Sequence, residues 1–544
     1  MPAMNRRDFL EIMALGSAPL LIGVPAGGAA SCCLPLLSKP RSSGLEEATL
    51  AELQAAMNSG AQSSVSLVHW YLRRIEKMDR HGPTLRSVIQ VNPDALAGAR
   101  ALDRERRTNG PRGPLHGIPV LIKDNIDTHD RMMTTAGSLA LLGSIAPRDS
   151  FVAQKLRQAG AVILGKTNLS EWANFRGENS TSGWSARGGL TKNPYALDRN
   201  PSGSSSGSAV AVSAGLCAAA VGTETDGSLI SPAAVCGIVS IKPTVGLISR
   251  SGIIPISRTQ DTAGPMTRTV TDAAILLGAL TGVDPRDEAT EAGRGKAGSN
   301  YTRFLDPNGL NGARIGVARR YFGSGGISRQ LLEAALNDMK RLGATVIDPA
   351  DDPALGKFGE AEGTVLSYEF KAGINAYLAS LGPNAPARTL QDLIQFNERN
   401  RAKELRYFGQ EEFLRAQERG PLTDKAYLDA WEKCRRLSRA EGIDAVMKHH
   451  QLDAIVAPSG GPAGVTDLIY GDHDVGGSST PAAVAGYPNI TVPAGDVLGL
   501  PVGISFFGRA YSEPVLVKVA FAYEQATKHR KPPKFLPGIN SSPG

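Results

Sequence analysis

The sequence lacks the features on which several large classes of protein depend. Its 544 residues contain only five cysteines, with no CxxC or Cys/His spacing of the kind that binds zinc. The formal net charge is +7, but no run of lysine and arginine is dense enough for a nucleic-acid-binding patch. Beyond the N-terminal region no segment is long and apolar enough to cross a bilayer. We therefore expect neither a nucleic-acid partner nor stable membrane insertion.

The N-terminal region has the pattern of an export signal. Arg6 and Arg7 stand just before an apolar run at residues 12–24, which is shorter than the about 20 residues that span a bilayer. Small residues follow, as they do in a cleavage region. The pattern predicts a twin-arginine export signal over residues 1–31, a linker over 32–44, and a periplasmic or extracellular protein. A frayed apolar helix and a lipoprotein signal are the alternatives.

Strand-like runs alternate with helical patterns in the rest of the chain. Residues 118–122 and 161–165 are apolar runs of strand length, and residues 151–159 between them have helical spacing. Such alternation is typical of an α/β protein with a mostly parallel sheet that is covered by helices. Residues 364–451 are charged and helix-rich, which indicates an additional helical region on the sheet that covers the functional site.

Two short stretches rich in serine and glycine, residues 201–208 and 222–228, are the strongest sign of a functional site. The residues between them, 209–221, are nearly all apolar, so a buried element separates two small-residue loops. The pattern predicts a helix and then a strand there, and it places Ser228 where that strand ends and the next helix begins. Backbone N–H groups at such a turn are unpaired and can hold an oxyanion. The alternative is a pair of tight turns that use serine and glycine only as small residues.

One chemical interpretation of the serines is the nucleophile elbow of α/β-hydrolases. Residues 203–207 fit the pattern G-x-S-x-G, with Ser205 at its centre. The elbow normally follows a strand, whereas residues 193–200 form a polar loop that contains a proline. It also needs a histidine base. None of the downstream histidines lies in a motif that indicates such a role: His449, His450, His473 and His529. The match is therefore weak.

Phosphate and metal chemistry have little support. The phosphate-loop pattern G-x-x-x-x-G-K-[ST] does not occur, and residues 293–296 lack its spacing. Asp472, His473 and Asp474 could hold a metal, although three polar residues in a glycine-rich loop more often form a surface turn. We therefore expect no cofactor and no metal.

A lysine base for Ser228 is the third interpretation. Lysine acts as a general base only when it is neutral, which requires burial or a cationic neighbour. Lys123 follows five apolar residues, so its amine would emerge at the buried end of a strand. A useful neutral fraction near neutral pH needs a pKa shift of about 2–3 units, or about 3–4 kcal/mol. The alternative is a lysine that is paired with Asp124 or Asp127.

Taken together, these residues resemble the amidase signature family. The likeness extends over nearly the whole chain and rests on residues 115–125, 165–168, 202–208, 222–244, 261–266 and 499–503. It implies a single large α/β/α domain around a central mixed sheet. That domain would cover residues 45–537 and leave a C-terminal tail over 538–544.

The resemblance also implies a Ser–Ser–Lys triad. Ser228 takes the place of the nucleophile, Ser204 that of the bridging serine after a cis peptide bond, and Lys123 that of the base. In this mechanism Ser228 attacks the amide carbonyl, and Ser204 relays the proton to neutral Lys123. The oxyanion hole would be formed by the backbone N–H groups of Thr225, Asp226, Gly227 and Ser228.

Three positions depart from the family's pattern. Asp226 replaces a usual glycine, and Ser202 and Ser206 replace two more. Asp226 adds a carboxylate beside the implied oxyanion hole. Our hypothesis is that it positions the ammonia leaving group or the amide substrate.

The activity that the resemblance implies is hydrolysis of carboxamides. Residues 222–228 and 260–265 are most similar to those of peptide amidases, which remove the C-terminal amide of peptides and leave internal peptide bonds intact. A small-molecule or peptide amide is the expected partner.

Two alternatives stay open. One is the amidase subunit of a tRNA-dependent amidotransferase, which is cytoplasmic and needs partner subunits; the predicted export signal argues against it. The other is an inactive binding protein with the amidase fold. The presence of Lys123, Ser204 and Ser228 argues against that one.

Overall fold

A mixed sheet of 11 strands runs through the computed structural model, which describes residues 44–296, 298–323, 326–473 and 475–539. The predicted large mixed sheet with covering helices is confirmed. The predicted export signal and, apart from Gly44, the predicted linker lie outside the described residues. None of the helices in these ranges is long and apolar enough to cross a membrane.

The strands in the described residues are β1 Val88–Val91, β2 Pro119–Lys123, β3 Val162–Thr167, β4 Trp184–Ser185, β5 Gly189–Leu190, β6 Ala219–Glu224, β7 Val239–Lys242, β8 Thr262–Thr267, β9 Arg314–Val317, β10 Thr345–Ile347, β11 Ala454–Pro458, β12 Asn489–Val497 and β13 Leu500–Phe507. The large sheet has the order β1-β3-β2-β6-β8-β7-β12-β13-β11-β9-β10. Strands β4 and β5 form a separate antiparallel pair.

The α-helices are α1 Leu50–Asn58, α2 Ser64–Arg74, α3 Ala95–Asn109, α4 Phe151–Gln158, α5 Ser206–Ser213, α6 Ile230–Val235, α7 Val270–Leu280, α8 Ile327–Arg341, α9 Gly359–Ser380, α10 Leu390–Arg399, α11 Arg401–Glu404, α12 Glu411–Gln417, α13 Lys425–Arg435, α14 Asp444–His449, α15 Thr480–Ala485 and α16 Glu513–Thr527. Two π-helical segments, Ile75–Arg80 and Arg436–Ile443, continue α2 and α13.

The structure corrects the predicted share of parallel strands. Six of the ten neighbouring strand pairs in the large sheet are antiparallel and four are parallel. A parallel pair needs a crossover connection, which α4 provides between β2 and β3. Strands β12 and β13 are joined by only Leu498 and Gly499, a connection that permits only antiparallel pairing.

The two Ser/Gly loops flank α5 and β6, which are buried along their whole length. Small residues allow α5 to pack closely against the sheet. A Cβ at Gly207 would lie 2.3 Å from the Ser87 carbonyl oxygen and 2.4 Å from that of Asn168, so only glycine fits there. Helix α5 and strand β6 confirm the helix and the strand that the sequence predicts between the two loops.

Helix α9 packs against loops near β2, β6 and β8. Its first turn and its middle hold the loop before β8, since Gln260 donates to Glu362 (2.9 Å) and Ser257 donates to Glu369 (2.5 Å). Its last turn holds the loop after β2, where Tyr377 donates to Asp127 (2.8 Å). The additional helical region that the sequence predicts thus contacts the chain segments on either side of the candidate site.

Candidate active site

Lys123 is the last residue of β2, and oxygen atoms surround its amine. Its Nζ lies 2.8 Å from Ser204 Oγ, 3.0 Å from Ser205 Oγ, 2.9 Å from Thr223 Oγ1 and 3.3 Å from the Thr223 carbonyl. The side chain is fully buried because β2 lies inside the sheet. The structure therefore brings together two of the three predicted catalytic residues, Lys123 and Ser204.

Neither neighbouring aspartate is paired with this lysine. Asp124 forms an ion pair with Arg187 (3.2 Å), and Asp127 accepts a hydrogen bond from Tyr377 (2.8 Å). The alternative in which Lys123 pairs with Asp124 or Asp127 is therefore wrong.

The surroundings of Lys123 favour a neutral amine. Burial lowers its pKa from 10.5 to about 7, against the opposing charges of Asp261 and Glu224. Ser205 donates its own proton to the Thr223 carbonyl (2.9 Å), so its oxygen can only accept from Lys123. If Nζ donates to Ser205 and to the Thr223 hydroxyl, its lone pair is left to accept the Ser204 hydroxyl proton. This is the direction of proton transfer that a relay needs.

Ser204 is held beside the amine by its backbone. The peptide bond between Gly203 and Ser204 is cis, as the resemblance implies. The Ser204 carbonyl accepts a hydrogen bond from the Ser170 N–H (3.1 Å), and the Ser205 N–H donates to the Ser228 carbonyl (3.2 Å). A Cβ at Gly203 would lie 2.1 Å from Ser170 Oγ, so a larger residue would displace this hydroxyl, which accepts a hydrogen bond from the Gly183 N–H (3.0 Å). The first Ser/Gly loop is thus fixed directly to the second.

The turn that precedes α6 presents unpaired backbone donors. Among the described residues, none of the N–H groups of its four residues donates to a protein acceptor: Thr225, Asp226, Gly227 and Ser228. The next two N–H groups, those of Leu229 and Ile230, donate to the Glu224 carboxylate at 2.7 and 3.1 Å. Glu224 therefore fixes the start of α6 and leaves the preceding donors free. Such a set of fixed donors suits the predicted oxyanion hole.

The backbone carbonyl of Ser228 is bonded to the loop that carries Ser204, whereas in the described residues its hydroxyl is not bonded to Ser204 or Lys123. Ser228 is 8% exposed, and in the described part of the chain its Oγ makes no hydrogen bond. A serine nucleophile must reach both its relay and the substrate carbonyl, and a free hydroxyl can rotate to do so. The catalytic roles of Lys123, Ser204 and Ser228 stay predictions.

Sequence reasoning missed Thr223 and Asn125 as neighbours of the lysine, and it named Ser205 only as the centre of a nucleophile elbow. Thr223 and Ser205 contact Lys123 Nζ, and Asn125 Nδ2 donates to Thr223 Oγ1 (3.0 Å). The signal that could have found Thr223 is strand pairing. In the parallel pair of β2 and β6, Ile122 lies opposite Val221, so the last residues of β6 extend just past Lys123 at the end of β2.

The nucleophile-elbow and metal interpretations gain no support. Within the described residues no histidine contacts Ser205, whose hydroxyl is bonded to Lys123 and Thr223. No group of three or more potential metal ligands occurs in the described ranges, and Asp474 lies outside them.

Asp226 is partly exposed, and both oxygens of its carboxylate have hydroxyl partners. Ser479 Oγ donates to Oδ1 (2.5 Å), and Thr480 Oγ1 donates to Oδ2 (2.7 Å). These residues begin α15, so Asp226 links the candidate oxyanion turn to a segment more than 250 positions away along the chain. This link offers a positional role in addition to the direct role that we inferred from the sequence.

We expect Asp226→Asn to lower kcat about tenfold and to leave the ranking of amide substrates unchanged. The substitution replaces two charge-assisted hydrogen bonds with neutral ones, a loss of about 1.4 kcal/mol in the placement of the turn. Steady-state kinetics on several amides would measure both quantities. Ser479→Ala serves as the matched control, because it weakens the same link without changing the charge. A changed ranking in Asp226→Asn alone would instead show that the carboxylate acts directly on the substrate or the leaving group.

Three kinds of comparison with known proteins relate the chain to amidases. A family model described as Amidase matches residues 66–517. A "probable amidase" from Arabidopsis thaliana is 45% identical over 501 residues, which cover 90% of this chain and 92% of that protein. The X-ray structure of the native peptide amidase from Stenotrophomonas maltophilia is 52% identical and has a TM-score of 0.86, covering 91% of this chain and 99% of that chain. A glutamyl-tRNA(Gln) amidotransferase subunit from Thermosynechococcus vestitus is 35% identical over 511 residues, covering 89% of this chain and 99% of that protein.

Proposed function

Because the chain belongs to the amidase family, we propose that it hydrolyses carboxamides, and in particular the C-terminal amides of peptides, by a Ser–Ser–Lys mechanism. The observation that carries this proposal is the contact between Lys123 Nζ and Ser204 Oγ (2.8 Å) next to a turn of unpaired N–H groups. A buried amine with a pKa of about 7 can accept a proton through a serine hydroxyl. Amide hydrolysis needs such a base together with donors for the oxyanion.

In the proposed reaction Ser228 Oγ attacks the carbonyl carbon of the amide. The Ser228 proton moves to Ser204 while the Ser204 proton moves to Lys123. The oxyanion accepts hydrogen bonds from the N–H groups of residues 225–228. The C–N bond then breaks, the proton returns through Ser204 to the nitrogen, and ammonia leaves. Water attacks the remaining acyl-Ser228 ester by the same relay, which releases the carboxylic acid and restores the serine.

The choice of substrate rests on the degree of similarity. The chain is 52% identical to a peptide amidase over nearly the whole of both chains, against 35% for the amidotransferase protein. We therefore place the substrate among peptide amides. The same comparison makes an amidotransferase component the second candidate.

Ammonia release from a panel of amides tests this proposal. The panel contains amino-acid amides, dipeptide and tripeptide amides, acetamide and glutamine, and each peptide amide has its free acid as control. We expect ammonia from the peptide amides with the peptide chain left intact in the mass spectrum, and no product from the free acids.

Three other results would each point elsewhere. Release of ammonia from glutamine alone, and only with added partner subunits, would support the amidotransferase. Cleavage of internal peptide bonds would contradict the C-terminal amide as the preferred substrate. Binding of amides without any turnover would support an inactive binding protein.

A further inference from the structure

A small cavity borders the candidate active site beside Thr223 and Asn125. It has room for about one water-sized molecule. Its polar lining includes Asn125, Thr223 and Thr225, and its apolar lining includes Ile253, Ile254 and Ile256.

The cavity lies near the place where the amide nitrogen, which leaves as ammonia, has to be during the proposed reaction. The relay must return its proton to the amide nitrogen, so that nitrogen has to lie within reach of Ser204 and Lys123. Thr223 accepts a hydrogen bond from Lys123 Nζ (2.9 Å), and Asn125 donates to the same hydroxyl (3.0 Å). Thr223 and Asn125 therefore contact both the group around the base and the cavity, which Thr225 of the oxyanion turn also lines.

Asn125 offers an acceptor for the N–H groups of a bound amide. It is 2% exposed, and in the described part of the chain its Oδ1 has no hydrogen-bond partner. A buried amide oxygen without a donor has lost its hydrogen bonds to water and gained none in exchange. The NH₂ group of a primary amide, and then the ammonia formed from it, would supply the missing donor.

The apolar lining is held in place by hydrogen bonds and packing. The Ile254 N–H donates to the Asn125 carbonyl (2.9 Å), and the Ile256 N–H donates to Asp261 Oδ2 (2.8 Å). The side chains of Ile254 and Ile256 pack in one cluster with residues of α9 and α10. A substituent on the amide nitrogen would therefore meet side chains that cannot move aside without disturbing this cluster.

We propose that this cavity is a leaving-group chamber, defined by Asn125, Thr223, Ile253, Ile254 and Ile256, which accepts the NH₂ of a primary carboxamide and excludes any carbon substituent on that nitrogen. The inference rests on the proposed function and names the residues that restrict it to primary amides. Asn125 Oδ1 accepts one N–H of the scissile amide. The isoleucines fill the space that the next residue of an internal peptide bond would need. The nitrogen leaves as ammonia, which is about the size of the water molecule that fits the chamber.

The test compares a primary amide with its N-methylamide on the same dipeptide. In the wild-type protein we expect hydrolysis of the primary amide and little or none of the N-methylamide. Ile254→Ala should raise the ratio of kcat/KM for the N-methylamide to kcat/KM for the primary amide by about 10- to 200-fold, the range expected for space equal to one methylene. This ratio does not depend on the fraction of folded enzyme, and Ile254→Val provides a milder variant with a smaller expected rise.

Ile394→Ala is the matched control. Ile394 lies on α10 in the same apolar cluster as Ile254, and the two side chains are 6% and 5% exposed, but Ile394 does not line the chamber. We expect it to leave the ratio unchanged. Efficient cleavage of the N-methylamide by wild type, an unchanged ratio in Ile254→Ala, or an equal rise in Ile394→Ala would each overturn the chamber while leaving the amidase proposal intact. Failure of every protein to cleave the primary amide would instead reject the proposed function, and the chamber with it.

Discussion

Replacing Ser228 with alanine is expected to lower kcat for peptide-amide hydrolysis by about 10⁵- to 10⁶-fold, as loss of a serine nucleophile does in other serine enzymes. The variant keeps the free N–H groups of the oxyanion turn and the Lys123–Ser204 contact, but no acyl-enzyme can form. Ammonia release at saturating substrate would measure the loss. Labelling by a fluorophosphonate, present in wild type and absent in Ser228→Ala, would show whether this serine is the nucleophile.

Ser205→Ala separates this mechanism from the nucleophile elbow. Ser205 is a second buried serine in contact with Lys123 Nζ (3.0 Å), but in our mechanism its hydroxyl only accepts from the lysine. Its removal breaks three hydrogen bonds, with Lys123 Nζ, the Thr223 carbonyl and the Thr223 N–H, but only the first of them touches the relay. We therefore expect a loss of about 1–1.5 kcal/mol at the relay, or roughly a tenfold decrease in kcat, and labelling persists. An elbow at Ser205 predicts the reverse: Ser205→Ala is inactive and unlabelled, while Ser228→Ala retains activity.

The local arrangement of the two Ser/Gly loops could be predicted because its signals are local. The apolar stretch 209–221 must be buried, and the glycines and serines around it fix where the chain turns. Those two facts give α5, β6 and the position of Ser228 after β6. The buried position of Lys123 follows in the same way from the five apolar residues before it.

The remainder of the site depends on contacts between distant parts of the chain. Asp226 accepts a hydrogen bond from Ser479, yet nothing in either neighbourhood of the sequence indicates the other. The wall of the leaving-group chamber comes from a loop before β8, and its relation to Asn125 exists only in the folded sheet. Only a resemblance or a structure can supply such pairs.

The number of antiparallel pairs could not be predicted because some of the strands that form them have no clear local signal. Strand β8 lies inside the sheet between β6 and β7, but its sequence Thr262–Thr267 contains Gly264 and Pro265, which are rare inside strands. A Cβ at Gly264 would lie 2.1 Å from the Ile241 carbonyl oxygen, so close packing against β7 selects glycine there. Strong apolar runs revealed β2 and β3, which are parallel, whereas β8 and β12 pair antiparallel and were missed.

The activity of the enzyme should rise with pH and level off, with a midpoint in kcat/KM near the Lys123 pKa of about 7. Burial lowers this pKa, so the amine is protonated below about 7 and cannot accept the serine proton, whereas above it the neutral form dominates. A pH series of ammonia release from one peptide amide would give the midpoint. An ordinary exposed lysine would place it near 10.4, about 3 units higher.

Two carboxyl groups near the oxyanion turn, those of the partly exposed Asp261 and the buried Glu362, also titrate in this range. Burial raises the pKa of Asp261 to about 6, and burial together with the nearby charge of Asp226 raises that of Glu362 to about 8. Glu362→Gln removes the second of these groups and should leave the midpoint unchanged. If the midpoint moves with this substitution, Glu362 and not Lys123 controls the rise.

Lys123→Met assigns the rise to the lysine itself. Methionine keeps much of the volume of the buried side chain but has no basic nitrogen, so kcat should decrease by about 10²- to 10⁴-fold, the usual contribution of a general base. The activity that remains should no longer show the rise near pH 7.

Lys166→Met is the matched control, since Lys166 is also fully buried, lies on the neighbouring strand β3 and pairs with Ile122 of β2. Its Nζ donates to the Ile126 carbonyl (2.5 Å) and to Thr134 (3.0 Å), so its loss should reduce stability while the rate per phosphonate-titrated site and the midpoint stay as in wild type. Full activity in Lys123→Met, or the same loss per site in both variants, would mean that burial of the amine serves the fold and not the proton relay.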